Sequence, residues 1–415
     1  MMTSSKQHSD ECRQLPEDVI EQVLVRLPCK TVLRFRCVSR RWKAIIQTKF
    51  FVNQHLAITA AESKSNPNIT RVLEVWEDNG SCIHTVTLEP DMIGKLRTKE
   101  LDLNHPFGKH VAGIHGCCNG LICLTYSEYH TAGAPSRHRL LLWNPSIRKY
   151  WELRQPIRFI TSADHKFDPA SWNFVYGFGY DDLNDDYKVV KVVESSHFGV
   201  RIHQQVGVYS RKLNSWKLIE KMPTSAAAGQ IDSTVTGDGK LVNNALHWII
   251  DCDIYFVAFD LRTDTYRMIP QPDEVMKDRD SMARDCSYGD LQGCLYVMYG
   301  HKATASLHLW IMKDYGVKDS WTKIVVLEDF PRRSWYYPKG PTRQHIPIAY
   351  IRGGGGGGGG SGKVFFDDRS CVYGYDIETQ TFENCPPYSS FSLCVLHGEY
   401  SFISTLVDLD LTAQR

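Results

Sequence analysis

A small helical module followed by one large all-β domain, its strands closed into a ring of like units, is the fold class that the 415-residue sequence predicts. Two hydrophobic periods and one repeated pattern carry the prediction. Between Leu15 and Leu56 apolar residues recur at helical spacing. From Arg71 onwards the period is two, and turn residues punctuate the chain at short intervals. Within that β region two kinds of half-unit alternate along the chain.

The helical module reads as three helices. Leu15-Pro16 lead into a run in which Val19, Ile20, Val23, Leu24 and Leu27 form one stripe. Leu27-Pro28 closes it, because proline disfavours helical geometry in the residue before it. A second short run places Val32, Leu33 and Phe35 among Arg34 and Arg36, and Ser39 stands as N-cap of a third helix with Trp42, Ile45 and Ile46. A unit of roughly 40 residues cannot bury enough surface to be stable alone. Cys29 and Cys37 have no neighbouring histidine, so no metal centre supplies the deficit. The apolar surface therefore calls for the rest of the chain or for another protein, with another protein the expectation.

Leu15, Pro16, Asp18, Ile20, Leu24, Arg26, Leu27, Pro28, Leu33, Arg34, Val38, Ser39 and Trp42 match the pattern LPxDxxxxxLxRLPxxxxLRxR followed by VSRxW, and this stretch closely resembles the F-box. In that family the helices dock on a Skp-type adaptor, which bridges to a cullin and a RING protein. The resemblance implies the same partners here, with Leu15, Pro16, Ile20, Leu24, Leu27, Pro28, Leu33, Val38 and Trp42 as the adaptor-binding residues. On this reading Leu24→Asp or Leu27→Asp abolishes adaptor binding and leaves the β-domain folded.

Bulk properties narrow the function classes. With 48 basic against 47 acidic residues the net charge is +1, which gives no electrostatic reason to expect nucleic acid or an anionic membrane as partner. No apolar run approaches the ~20 residues of a membrane-spanning helix, and MMTSSKQHSDEC lacks the apolar core of a secretory signal. The 13 cysteines are odd in number, scattered and without CxxC, so reduced thiols are expected. A cytoplasmic or nuclear location follows, with the sequons at Asn68 and Asn79 unglycosylated.

Residues 1–12 are expected to be disordered, 13–56 to form the helical module and 57–69 to be a polar, small-residue connector; Ala57 to Glu62 could also extend the last helix. Residues 70–410 are assigned to the β-domain. One half-unit is a glycine turn and a hydrophobic strand, as in 116–124, 239–248 and 293–298. The other is a strand, a polar turn and a strand opening on an aromatic: LLLWNPSIRKYWEL (140–153), VGVYSRKLNSWKLI (206–219), YFVAFDLRTDTYRMI (255–269), LHLWIMKDYGVKDSWTKI (307–324) and CVYGYDIETQTFENC (371–385). The closing aromatics Trp151, Trp216, Tyr266, Trp321 and Phe382 fall about 50–65 residues apart, near the length of one kelch-type propeller blade. A lone four-stranded sheet is marginal in water, and packing blades around an axis buries both of its faces. The last strands, Phe391 to Leu406, lack a turn-plus-aromatic half, while Val72 to Leu88 is a hairpin lacking a preceding half. Joined in one blade they would close the ring, giving six blades, with five or seven as alternatives.

NGLICL, LLLWNPSIRKYWEL, FGYDDLNDDYKVVKV (178–192), ALHWI, FDLRTDTY and WIMKDYGVKDSWTKI resemble the F-box-associated domain that follows the F-box in a large plant family, often described with kelch-like repeats. The two resemblances together cover nearly the whole chain. Gly353 to Gly360 departs from the family pattern, and a hairpin loop between strands 346–351 and 364–366 is the expectation for it.

Four stretches imitate chemical sites. GGGGSGK (357–363) lacks the Ser or Thr and the helix that a phosphate-binding loop needs, since Val364 continues a strand. Asp181-Asp182-Leu183-Asn184-Asp185-Asp186 lacks the glycine and terminal glutamate of a calcium loop and reads as a solvated hairpin turn. His115 beside Cys117 fits a glycine-rich turn rather than a thiol–imidazole pair, and His247 fits a satisfied strand residue. No GxSxG elbow occurs. Neither a catalytic residue nor a metal or cofactor site is therefore expected.

The family likeness then implies a non-catalytic substrate receptor of an SCF-type ubiquitin ligase, promoting degradation of a protein held by the β-domain. Residues 126–138, 158–171, 273–285 and 331–345 are the loops suspected of holding that target. A non-degradative scaffold, a propeller enzyme with an accessory helical module, and a pollen S-locus F-box protein acting on ribonucleases remain the rival readings; the target's identity is not legible.

Overall fold

The computed structural model describes residues 16–65, 69–77, 80–90, 96–102, 111–128, 137–154, 172–197, 200–223, 235–250, 255–277, 286–301, 306–328, 346–352, 362–367, 371–387 and 396–412. The expected disordered segment 1–12, and Leu15, lie outside them.

Four helices come first: α1 (Glu17–Leu24), α2 (Cys29–Phe35), α3 (Arg40–Ile46) and α4 (Lys49–Ser65). Pro16 and Pro28 stand in extended geometry just before α1 and α2, where a missing N–H costs nothing. Their carbonyls accept the first helical bonds, from Ile20 and from Thr31 and Val32. The Ser39 hydroxyl accepts the Trp42 N–H at 3.0 Å, so the expected N-cap is in place. Residues 57–65 are not a connector; they complete α4. Ala57, Ala60, Ala61 and Glu62 are strong helix formers, Ile58 packs on the core, and Thr59 lies 3.4 Å from His55 Nδ1. Ala57 and Ala61 face solvent, so it is helix propensity and the Ile58 contact, not close packing of small side chains, that accompany the helix here.

The strands follow in chain order. The first group is β1 (Ile69–Glu77), β2 (Gly80–Pro90) and β3 (Leu96–Asp102). Next come β4 (Val111–Cys118), β5 (Leu121–Glu128), β6 (Arg137–Asn144) and β7 (Lys149–Glu152), then β8 (Trp172–Asp181), β9 (Asp186–His197), β10 (Val200–Ser210) and β11 (Ser215–Ile219). Strands β12 (Val235–Val242), β13 (Ala245–Ile250), β14 (Tyr255–Asp260) and β15 (Thr265–Ile269) lead to a short helix α5 (Asp273–Lys277). After it come β16 (Cys286–Leu291), β17 (Cys294–His301), β18 (Ser306–Met312) and β19 (Trp321–Leu327), then β20 (Ile346–Arg352), β21 (Gly362–Asp367), β22 (Cys371–Asp376) and β23 (Thr381–Pro387). The chain ends with β24 (Leu396–Ser401) and helix α6 (Leu409–Thr412).

These strands form four four-stranded sheets and one eight-stranded sheet. The eight-stranded sheet is two antiparallel meanders joined by a single parallel bridge, Gly177 to Gly239. Strand β24 pairs with β1, Tyr400 opposite Val72, so the last strand completes the first sheet as the incomplete halves of the sequence foretold. Innermost strands meet in the order β24, β4, β8, β12, β16, β20, and β23 meets β3, which brings the sheets into cyclic order as a propeller-like domain. Strand β21 pairs with β20 from Arg352 opposite Gly362, so the glycine run lies between the two strands of a hairpin and is itself outside the described residues.

Two turn types account for the two half-units. Three entries from inner strand to second strand use two residues of positive φ in succession: Asn119 and Gly120, Asn243 and Asn244, Gln292 and Gly293. These are the type I′ positions that match strand twist. The β8–β9 turn instead spans four residues and ends on left-handed Asp185. Entry to the outer strand uses four residues with one left-handed residue at the end: Arg148, Asn214, Asp264 or Gln380. Because every unit is an antiparallel meander, both turn types lie towards one end of the ring, and the connections into each inner strand arrive at the other.

The helical module sits on the turn end. Leu24, Val25, Cys29, Val32, Ile45, Ile46, Phe51 and Val52 share one buried apolar cluster with Leu121, Leu140, Leu142, Phe178 and Val189 of the β-domain. The Cys29 thiol hydrogen-bonds Ser146 in the β6–β7 turn, with burial pushing the thiol up to about 11. Lys49 pairs with Asp185 in the β8–β9 turn. The surplus apolar surface of the module is thus met in large part by its own chain.

Candidate functional site

The nine expected adaptor-binding residues divide by burial. Pro16 and Pro28 are exposed, and Val38 is 59% exposed. Ile20, Leu27, Leu33 and Trp42 are half-buried against the common core, Trp42 edge-on to Phe35 with centroids 5.4 Å apart. Leu24 is 1% exposed. It is a core residue shared with the β-domain, so Leu24→Asp would unseat the module from that domain instead of deleting a contact point. Leu15 lies outside the described residues.

The apolar stripe of α1 is wide enough to serve two masters: Ile20 and Leu24 turn inward, while Val19 (41% exposed) and Val23 (56%) turn outward. Val19 and Val23 stand one turn apart, one turn beyond Pro16, on the outer side of α1. Around this apolar strip Arg26, Lys30, Arg34, Arg40, Arg41 and Lys43 are exposed. Glu17 and Asp18 of α1 are exposed as well, and Glu17 pairs with Arg41 at 3.1 Å, so the apolar strip is bordered by charges of both signs. The helical periodicity contained Val19 and Val23, but periodicity alone cannot tell which edge of a wide stripe meets the core.

The acidic turn between β8 and β9 is neither a cation site nor merely solvated. Asp181 is fully buried; it accepts the N–H groups of Leu183 and Asn184 and pairs with Lys188 at 2.9 Å. Burial opposes its charge, but Asn184 and Lys188 outweigh burial and hold the carboxyl below its usual range. Asp182 takes Arg262 Nε and Nη2, each at 2.6 Å. Asp185 binds Lys49 and the Tyr180 hydroxyl, and Asp186 accepts from Ser210 and the Lys212 N–H. Each carboxylate is engaged by a neighbouring element, which makes the turn a junction between units and the helical module. Among the described residues no cluster of His, Cys, Asp and Glu has metal-ligand geometry, and no helix is long and apolar enough to cross a membrane.

Inner strands meet near the axis in a self-satisfied polar cluster. His115 Nδ1 lies 2.8 Å from Asp238 Oδ2 and its Nε2 2.9 Å from the Thr125 hydroxyl. The other Asp238 oxygen accepts the Tyr176 N–H at 2.7 Å, Tyr176 stacks near His115 with centroids 4.2 Å apart, and Lys240 lies 4.4 Å over the Tyr400 ring. His115 thus serves Asp238 and Thr125, not Cys117. Thr125 is buried, so the Thr–His–Asp chain fastens strands together and presents no nucleophile to solvent.

The suspected target loops 158–171 and 331–345, and most of 126–138 and 273–285, lie outside the described residues. Loops 158–171, 278–285 and 331–345 lead into the inner strands β8, β16 and β20. Residues 273–277 are α5, which is not a free loop: Val275 is buried with Tyr299 and Trp310, Lys318 pairs with Asp273 at 2.5 Å, and Lys323 pairs with Glu274. On β8, Phe174 is 51% exposed, with the Lys191 ammonium 5.2 Å over its ring and 5.7 Å from that of Tyr176. Burial pushes Lys191 down to about 8.

Residues 13–53 match the F-box domain model and residues 72–384 the F-box associated beta propeller domain. An F-box/kelch-repeat protein of Arabidopsis thaliana is 27% identical over 334 residues, covering 77% of this chain and 82% of the relative. The Arabidopsis F-box protein CPR1 is 28% identical over 343 residues, covering 76% and 73%. Another F-box protein of that plant is 27% identical over 347 residues, covering 79% and 74%. The two-surface architecture and these matches agree: the chain belongs to the F-box proteins that carry an F-box-associated β-propeller domain.

Proposed function

We propose that this protein is the substrate receptor of an SCF-type ubiquitin ligase in the cytoplasm or nucleus, holding a Skp-type adaptor at the helical end and a target protein at the opposite end of the ring. The observation that carries the reading is the outward half of the α1 stripe. Val19, Val23, Val38 and Phe50 are the large apolar residues left exposed on the module among the described residues, while Leu24, Val25, Val32, Ile45, Ile46 and Phe51 are already buried in this chain. The target end is supported by Phe174, the one large apolar residue exposed on an inner strand among the described residues. The receptor supplies no acid, base or nucleophile in this scheme. It raises the effective concentration of a target lysine beside the conjugating enzyme that cullin and RING bring. Because the helical module is fastened to the ring, adaptor and target are held at a fixed separation.

The test is capture of the full chain followed by mass spectrometry, against Val23→Asp/Val38→Asp and Phe174→Asp. The first variant is expected to lose adaptor and cullin, since each buried valine is worth ~1.5–3 kcal/mol, and to keep the target. The second is expected to lose the target and keep the adaptor. Adaptor retained at wild-type yield by Val23→Asp/Val38→Asp would place the anchor elsewhere.

A further inference from the structure

We propose that the C-terminal segment Phe402–Thr412 is a latch, part of the floor on which helices α1–α4 rest, so that the N-terminal module is seated only in a chain whose C-terminus is in place. The segment continues from β24 at the turn end. The Phe402 N–H makes a last rung to Thr70 O at 2.9 Å, after which the chain crosses to the neighbouring sheet, β4–β7. There the Thr405 hydroxyl donates to Asn119 O at 2.7 Å, and Asn144 Nδ2 donates to Val407 O at 2.9 Å and Thr405 O at 3.2 Å. Lys149 Nζ reaches Asp408 at 2.8 Å and Asp410 at 2.9 Å, and Trp151 Nε1 donates to Asp410 Oδ1 at 2.7 Å.

Three features make this more than a packed tail. The first is apolar continuity. Leu406, Val407 and Leu409 are at most 5% exposed and belong to the same cluster as Leu24, Val32, Ile46 and Phe51 of the helices. The second is fit: a Cβ on Gly120, whose φ is +75°, would stand 2.4 Å from Thr405 Oγ1 and 2.6 Å from Ile403 O. The segment lies directly against the Gly120 backbone, where any side chain would collide with it.

The third is a substitution of roles. Trp216 Nε1 donates to Arg154 O and Trp321 Nε1 to Pro270 O, each a carbonyl just beyond the outer strand of the preceding unit. The equivalent Trp151 instead clasps Asp410. The C-terminal segment takes, for this unit, the place that a neighbouring outer strand takes elsewhere. A ribosome makes the helical module first and this part of its floor last, so a chain with an open ring or a missing terminus presents a loosened module.

Hydrogen exchange on the free chain tests the latch without any adaptor. A chain ending at Ile403 retains β24 and the Phe402 rung. Its α1–α3 amides are expected to exchange at least about tenfold faster than in the full chain, with β12–β19 unchanged. Lys149→Ala/Asp410→Ala removes the ion pairs and the Trp151 clasp while leaving the Asn144 and Thr405 bonds and every core side chain, and is expected to speed α1–α3 by about two- to fivefold. Unchanged α1–α3 exchange in the shortened chain overturns the proposal. If the shortened chain loses protection throughout, the double variant decides: faster exchange confined to the helices upholds the latch, and no change, or a loss shared with β12–β19, refutes it.

Discussion

His247 is a buried base whose two nitrogens are both engaged: Nε2 accepts the Tyr315 hydroxyl at 2.7 Å, and Nδ1 stands 3.2 Å from Lys240 O, to which it donates. Burial pushes its pKa down to about 4. An unfolded histidine titrates near 6.5, so between about pH 6.5 and 4 the unfolded chain binds the extra proton and stability falls as pH falls. The contribution lost across that window is about 3 kcal/mol. The melting temperature of the wild type should decline more steeply over it than that of His247→Gln, and parallel curves would show that His247 is not the titrating group. Backbone contact sets a second residue-scale constraint. Gly177 and Gly239 form the single bridge between β8 and β12, and a Cβ on Gly239 would lie 2.5 Å from the fully buried Trp248 indole. Gly239→Ala is expected to cost about 1–3 kcal/mol in urea denaturation; a loss below ~0.5 kcal/mol would mean that Trp248 moves freely.

At the scale of elements, what the sequence exposes is what is local. The strand period, the Asn-Gly and Gln-Gly turns and the closing aromatics each lie within a few residues, and each predicts the element found. The incomplete halves at Val72–Leu88 and near the C-terminus pair as β1 and β24 because a ring has to close. Residues 57–65 read two ways, as a connector or as an extension of the last helix, because small and polar side chains suit both; the structure has the extension. The acidic turn misled because Lys49 and Asp185 are 136 residues apart, and no local pattern announces such a partner. The same holds for Leu24. Its spacing says only that it faces something, and whether that is an adaptor or a β-domain is a tertiary fact. The expected adaptor set therefore spans exposed residues (Pro16, Pro28 and Val38), half-buried ones (Ile20, Leu27, Leu33 and Trp42) and the buried Leu24, while the exposed Val19 and Val23 of the same helix stand outside it.

At the scale of the whole molecule, the fold separates two surfaces by the thickness of a ring. Turns, helices and the C-terminal segment crowd one end, and the inner strands begin at the other. The polar cluster of His115, Asp238 and Lys240 ties strands of different sheets near the axis. The most direct test is ubiquitin transfer in a reaction reconstituted from adaptor, cullin, RING protein, conjugating enzyme and the protein captured by the β-domain. Modification of that protein with the wild-type chain, and none with Val23→Asp/Val38→Asp at equal melting temperature, is the predicted result. A captured protein left unmodified by an adaptor-bound wild-type chain would contradict the account and make this chain a scaffold.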